Sequence, residues 1–289
     1  LGPRPLEATW AKDFPELARR ESFLQVQQAW ANPRLDAARK PGLLRLLRLL
    51  AERHQAAAAA SHLDEFGRAF DAPVTTALKT LPLSAALAAI PMEDDRERRH
   101  LLERDAFAAL EERRSPWARA LDAALAANAE LGFGSMRARE EALSGVALQP
   151  WLQAAEQLLA STDDAWRDLL GYALKRLDPQ LKPAAARAHD LARIATAPWM
   201  REHFRRQDLL HAVVRTLEDL GLPPNVHGRL SLDTEERAGK HPGAFVCVLR
   251  VPDEVRMTVS LRDGFHAYLQ LLGAYGEAQL WANGPREGP

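Results

Sequence analysis

A single cysteine, Cys247, stands in the 289-residue chain. An internal disulfide and a thiolate zinc cage are both excluded, and a reducing, cytoplasmic setting is the expectation. A surplus of either charge is missing too: 38 Lys and Arg face 39 Asp and Glu, for a net charge of −1. A nucleic-acid binder needs a basic face to displace counterions from phosphates, and the charges here do not segregate to form one. Long apolar runs are also lacking. The greasiest stretch, "LLRLLRLLAERHQAAAAA" (43–60), is interrupted by Arg45, Arg48, Glu52 and Arg53. It reads as an amphipathic helix and not as a membrane span. The opening "LGPRPLEATW" has no positive-then-apolar layout, so no signal peptide is expected. Finally, no two of the nine histidines are four residues apart, the spacing at which one helix face grips a metal. His203 and His211 are eight apart, two turns from each other.

What is present is ordinary globular material, 47% apolar and 27% charged. Helical patterning dominates as far as residue 222. In "STDDAWRDLLGYALKRLDP" Ser161 or Thr162 is placed to cap, Asp163 and Asp164 suit the positive end of the dipole, and Asp178-Pro179 closes the helix. "SPWARALDAALAANAELG" carries Pro116 in its first turn and Gly132 past its end. "DLLHAVVRTLEDLG" repeats the layout, with Leu209, Leu210, Val213, Val214, Leu217 and Leu220 as its apolar stripe. After "GLPPN" (221–225) the period drops to two. "AFVCVLRV" and "EVRMTVSL" flank Pro252-Asp253 and read as a hairpin, preceded by a third strand candidate in "VHGRLSLD". Helix resumes near Phe265 and runs to Trp281. The expected class is mainly α: a long helical body (1–222), then a small antiparallel sheet and a last helix (223–289), the two able to form one continuous fold.

The last helix poses a problem. In "YLQLLGAYGEAQLWA" (268–282) the residues Tyr268, Leu271, Leu272, Tyr275 and Ala282 share one face, yet Gly273 and Gly276 lie in the interior. Each glycine there costs about 1 kcal/mol relative to Ala. Around this helix several residues follow a known pattern. Asp233, Arg237, Gly239, Lys240, Ala244 and Phe245 stand in the order Leu-Asp…Arg-x-Gly-Lys…Ala-Phe, with Cys247 displaced by one or two positions. A strand and turn ending at Gly264 and Tyr268 follow, and Leu131-Gly132-Phe133 supplies an earlier landmark. In this the chain resembles the oligoendopeptidase/thimet-type gluzincin metallopeptidases over residues 90–282, diffusely at first and more specifically from Leu230 to Trp281.

The resemblance implies a degenerate zincin-type helix. The family's His-Glu-x-Gly-His becomes Gly-Ala-Tyr-Gly-Glu: Gly273 and Glu277 replace the histidines, Ala274 the general base, and Gly276 is retained. Gly273 and Ala274 supply neither a ligand nor a base, and a single carboxylate at Glu277 cannot hold Zn²⁺ against water. The family's third ligand, a glutamate on a later helix, has no counterpart in residues 278–289. No metal, no cofactor and no catalysis are therefore expected.

The remaining features have plain readings. His189-Asp190 lacks a nucleophile in a recognisable elbow, and "LGFGSM" ends a helix without making a phosphate loop. Cys247 reads as a buried, inert thiol. Seven tryptophans, Trp117, Trp151, Trp166, Trp199 and Trp281 among them, read as core fillers.

The functional expectation is a catalytically inactive, peptidase-like protein that binds a peptide or protein partner. In the family the sheet's edge strand aligns an extended substrate through its main chain, a mode that needs no metal. Ala244, Phe245, Val246, Tyr268 and Tyr275 are the candidate groove residues. The alternatives are a regulatory or structural subunit pairing with an active metallopeptidase relative, or the N-terminal fragment of a longer peptidase-like protein. An active hydrolase would need an unrelated site that the sequence does not display. A homodimer is possible; a nucleic-acid or membrane partner is not expected.

Overall fold

The computed structural model describes residues 13–237, 240 and 243–284. Gly239, on which part of the resemblance rests, and the segment read for a signal peptide (1–10) lie outside them. The fold is mainly α, and the chain divides into two compact units, one up to Ala185 and one from Ala186.

The first unit is built from α1 (Arg20–Trp30), α2 (Lys40–Asp71), a two-stranded hairpin of β1 (Pro73–Thr75) and β2 (Thr80–Pro82), α3 (Leu83–Ala89), α4 (Arg96–Glu112), α5 (Ser115–Glu130), α6 (Met136–Ser144) and α7 (Leu148–Leu177). The arginine-broken stretch 43–60 lies within α2, whose apolar face buries Leu47, Leu50 and Ala51 with Phe23, Leu131 and Leu143. Phe133 meets Phe23 edge-on at 5.9 Å. Gln55, buried inside this bundle, donates to Asn128 at 3.2 Å and accepts from Arg139. A second core joins Val74, Leu83, Ala86, Ile90, Leu102 and Ala106. The two cores meet where Arg113, at the end of α4, donates to the carbonyls of Ala69, Ala72 and Pro73 at 2.8–2.9 Å. One guanidinium thus closes the C-terminus of α2 and holds the start of β1.

The second unit contains α8 (Ala188–Thr196), α9 (Arg206–Asp219), β3 (Leu230–Asp233), β4 (Ala244–Arg250), β5 (Glu254–Val259) and α10 (Phe265–Ala282). The units thus divide after Ala185 and not at residue 222. The reason is packing: Leu209, Val213 and Leu217 of α9 are buried in one cluster with Val226, Leu230, Val255, Met257 and Leu271. The hairpin forms as the alternation predicts, β4 antiparallel to β5 with Val246 opposite Met257. β3 joins β5 in parallel, so the sheet is mixed, in the order β3-β5-β4. α9 lies in sequence just ahead of β3, and among the described residues no helix separates β3 from β4; β4 itself lies in sequence between the parallel partners β3 and β5.

Two expectations fail along α7. Ser161 and Thr162 do not cap a helix, because α7 begins at Leu148 and runs through them. Their hydroxyls donate back to the Leu158 carbonyl at 2.9 and 2.8 Å, which removes the need for a break. The tryptophans named as core fillers are instead exposed, Trp151 and Trp166 on α7 most clearly. Among the described residues no helix is long and apolar enough to cross a membrane.

Arg113→Ala should leave three carbonyls at the junction of α2 and β1 without this donor and cost the first unit about 1–3 kcal/mol. Urea unfolding followed by circular dichroism measures it; an unchanged midpoint would remove the tie from the account.

Candidate functional site

The last helix, α10, is held at three places. At its start, Gly264 has φ 108, a backbone shape that favours glycine, and its N–H donates to the Phe204 carbonyl at 2.7 Å. Next to it, Asp263 accepts from the Arg206 N–H at 2.7 Å and so caps α9 from a distant part of the chain. The Arg206 amide, with Arg201 at 3.4 Å, holds the Asp263 carboxyl below its ordinary value. In the middle, Leu271, Ala274, Tyr275 and Ala278 are buried against the sheet. Near the end, Gln279 donates to the Pro223 carbonyl at 2.8 Å, and Arg229 donates to that of Ala282 at 3.1 Å.

This fastening sets which face of α10 looks along the sheet. A recess of about 350 Å³ lies between the first half of β4 and the middle of α10, lined by Gly243, Ala244, Phe245, Val246, Gln270, Gly273, Ala274 and Glu277. Gln270, Gly273, Ala274 and Glu277 share one helical face, since residues three and four apart are neighbours. The structure therefore brings together three of the positions that the resemblance would make a degenerate motif, Gly273, Ala274 and Glu277, with the candidate strand residues Ala244, Phe245 and Val246. Gly276, the fourth motif position, is exposed and does not line the recess.

Tyr268 and Tyr275 are not groove residues. They lie on the opposite side of α10, a consequence of its 3.6-residue period. Tyr275 is buried in the core, and burial pushes its phenol above the ordinary value. Tyr268 packs edge-on against Phe204 at 5.0 Å and donates to the Arg205 carbonyl at 3.0 Å. Both tyrosines anchor the helix. Cys247 is exposed, not buried, because it points to the face of β4 away from α10.

The interior glycines of α10 answer to no close contact. A methyl group built at Gly273 or Gly276 meets no atom within 4 Å beyond its chain neighbours and the helix's own backbone. Gly273 instead leaves the recess open at the turn where Ala274 forms its floor. Gly243, at the rim, is different: it has φ 114, and a methyl there would lie 3.4 Å from Gln270 Oε1.

The residues that carried the resemblance before β4 form a clamp. Arg237 grips the Asp233 carboxylate with two hydrogen bonds, of 3.0 and 2.6 Å. Glu235 N–H and Thr258 Oγ1 donate to the same carboxylate at 3.1 and 3.2 Å. The Lys240 ammonium donates to the carbonyls of Asp233 and Glu235 at 3.1 and 2.7 Å. The clamp ties the end of β3 to β5 and to the segment that leads into β4. Arg237, then the Glu235 amide and the two cationic charges, hold the Asp233 carboxyl well below the usual carboxylate range, against an opposing effect of desolvation.

The recess can accept a side chain or a stretch of backbone. Among the described residues that line it, the one ionisable group is the Glu277 carboxylate and the one side-chain amide is that of Gln270, so it favours a ligand group that is cationic or donates hydrogen bonds. β4 is an edge strand, and among the described residues no strand pairs with its outer side. His189 and Asp190, read as a chance dyad, lie 3.2 Å apart, and the Asp190 carboxylate accepts from the Arg187 N–H at 3.1 Å to cap α8. No protein-family model, curated protein or solved structure matches the chain.

Two outcomes follow for stability. Gly273→Ala should stabilise the protein by about 1 kcal/mol, because the added methyl meets open space in a helix interior; Gly243→Ala should destabilise it. Paired melting curves check both, and a destabilised Gly273→Ala would deny the open turn. For Asp233, folded-state ionisation is favoured, so its contribution is complete above about pH 4 and fades only as pH falls below that. Asp233→Asn should lose stability at pH 7 and show a flatter acid limb, measured by urea unfolding between pH 7 and pH 2.

Proposed function

We propose that the chain is a catalytically inactive, peptidase-like protein that binds an extended peptide segment along β4, with one side chain of the ligand in the recess against α10. The supporting observation is the placement of Gly273, Ala274 and Glu277 directly beside an edge strand. An edge strand accepts a peptide by main-chain hydrogen bonding, which supplies affinity without sequence demands. The recess supplies selectivity, and the Glu277 carboxylate favours Lys or Arg on the ligand. Hydrolysis is not part of the reading, since hydrogen and methyl stand at the positions where a zinc ligand and a proton acceptor would be required.

A protein partner, such as an active metallopeptidase relative, is the second reading. It draws on Leu269 and Leu280, large apolar side chains exposed on one side of α10.

Isothermal titration against extended peptides with a single Lys or Arg tests the first reading. The unaltered chain should bind; Gly273→Trp, which fills the recess, should weaken binding at least tenfold with circular dichroism unchanged. Glu277→Gln should weaken basic peptides by a few-fold, the scale of an exposed ion pair at about 0.5–1 kcal/mol. Silence across a broad peptide array removes the peptide reading. Stoichiometric zinc, with peptidase activity lost on chelation, overturns the claim of inactivity.

A further inference from the structure

α7 is a 30-residue helix of which only Leu174 is buried. Its main packing partner is the short turn Pro183–Ala185. Trp151, Leu158, Leu159, Trp166, Leu169 and Tyr172 are each more than half exposed, from 56 to 69%, and all six fall on one helical face. Together they present on the order of 1,000 Å², above the roughly 300–600 Å² that a monomer leaves open and close to the ~800 Å² that each partner buries in a standard interface.

The positions of this face, and its Leu and Trp ends, repeat when read from either end. Reflection about the midpoint between Leu158 and Leu159 places Leu148 opposite Leu169, Trp151 opposite Trp166, Leu152 opposite Ala165, and Ala155 opposite Thr162. Every member of the stripe from Leu148 to Leu169 therefore meets another member, as a two-fold symmetric, antiparallel contact requires. The charges agree with that register. Glu156 falls opposite Ser161, Asp163 opposite Ala154, Asp164 opposite Gln153 and Asp168 opposite Gln149, so no acid meets an acid. A parallel pairing would set each of these acids beside its own copy. Arg167 is already engaged within the helix by Asp163 and by Asp164 at 3.1 Å.

We infer that the apolar face of α7 is occupied by α7 of a second copy of this chain, antiparallel, with the two-fold axis between Leu158 and Leu159. A membrane surface is the rival occupant for an amphipathic helix with tryptophans, and charge argues against it. α7 carries four acidic and three basic residues, whereas helices that lie on anionic bilayers have a polar face rich in Lys and Arg. The inference rests on α7 alone and stands apart from the peptide-binding reading of the second unit.

Sedimentation of the full chain across micromolar concentrations should give twice the chain mass, and Leu159→Glu should give the single-chain mass with helical circular dichroism retained. In a Cys247→Ser background, Leu158→Cys should form a disulfide-linked dimer on mild oxidation. Leu148→Cys should not, because the two copies of residue 148 would lie about 30 Å apart. Cross-linking at both positions overturns the antiparallel register. A single-chain mass at every concentration, or co-sedimentation with anionic phospholipid vesicles in place of self-association, overturns the dimer.

Discussion

The second unit depends on one contact, the buried face of α10 laid against β4 and β5. Leu271, Tyr275 and Ala278 close over Val255, Met257 and Val259, and each large side chain so buried contributes about 1.5–3 kcal/mol. Because this face is committed to the core, the helical period dictates that Gln270, Gly273 and Glu277 turn toward the start of β4. The recess is the by-product of that commitment. Ala274 sits at the border, buried enough to belong to the core and still part of the recess floor.

Around this contact the polar groups act as fasteners. Asp263 and Gly264 tie the entry of α10 to the entry of α9, Gln279 and Arg229 tie its exit to the turn before β3, and the Asp233 clamp fixes the path into β4. Each involves a backbone N–H or carbonyl from a different element, so a side chain registers two elements against each other and also satisfies groups that would be orphaned. In the first unit Arg113 does the same for α2 and β1. The recess keeps its shape because the strand and helix that wall it are both tied down in this way.

α7 contrasts with α10. α10 spends its apolar face on the sheet of its own unit, whereas α7 leaves its face open while pairing Arg167 with Asp163 and Asp164 along the helix. A sequence stripe states that a helix has a face to bury and does not state against what. This is why the tryptophans of α7, read as core fillers from periodicity alone, are exposed.

The helical class, the β4–β5 hairpin and the limits of α10 were legible in the sequence. They follow from local periodicity: 3.6 residues along the helices and two along the strands. Tyr268 and Tyr275 were placed in a groove by the resemblance, while the helical phase set by the core sends them to the other side. Cys247 was misplaced for the same kind of reason: alternation along β4 assigns it a face, but only packing decides which face is covered. The parallel β3 and the division after Ala185 were beyond local patterns, because both are set by which distant apolar surfaces find each other. Sequence alone determined the elements and their amphipathic faces, since these arise from backbone period and side-chain chemistry. The partner of each face was decided by tertiary structure, because burial is a property of two surfaces and not of one.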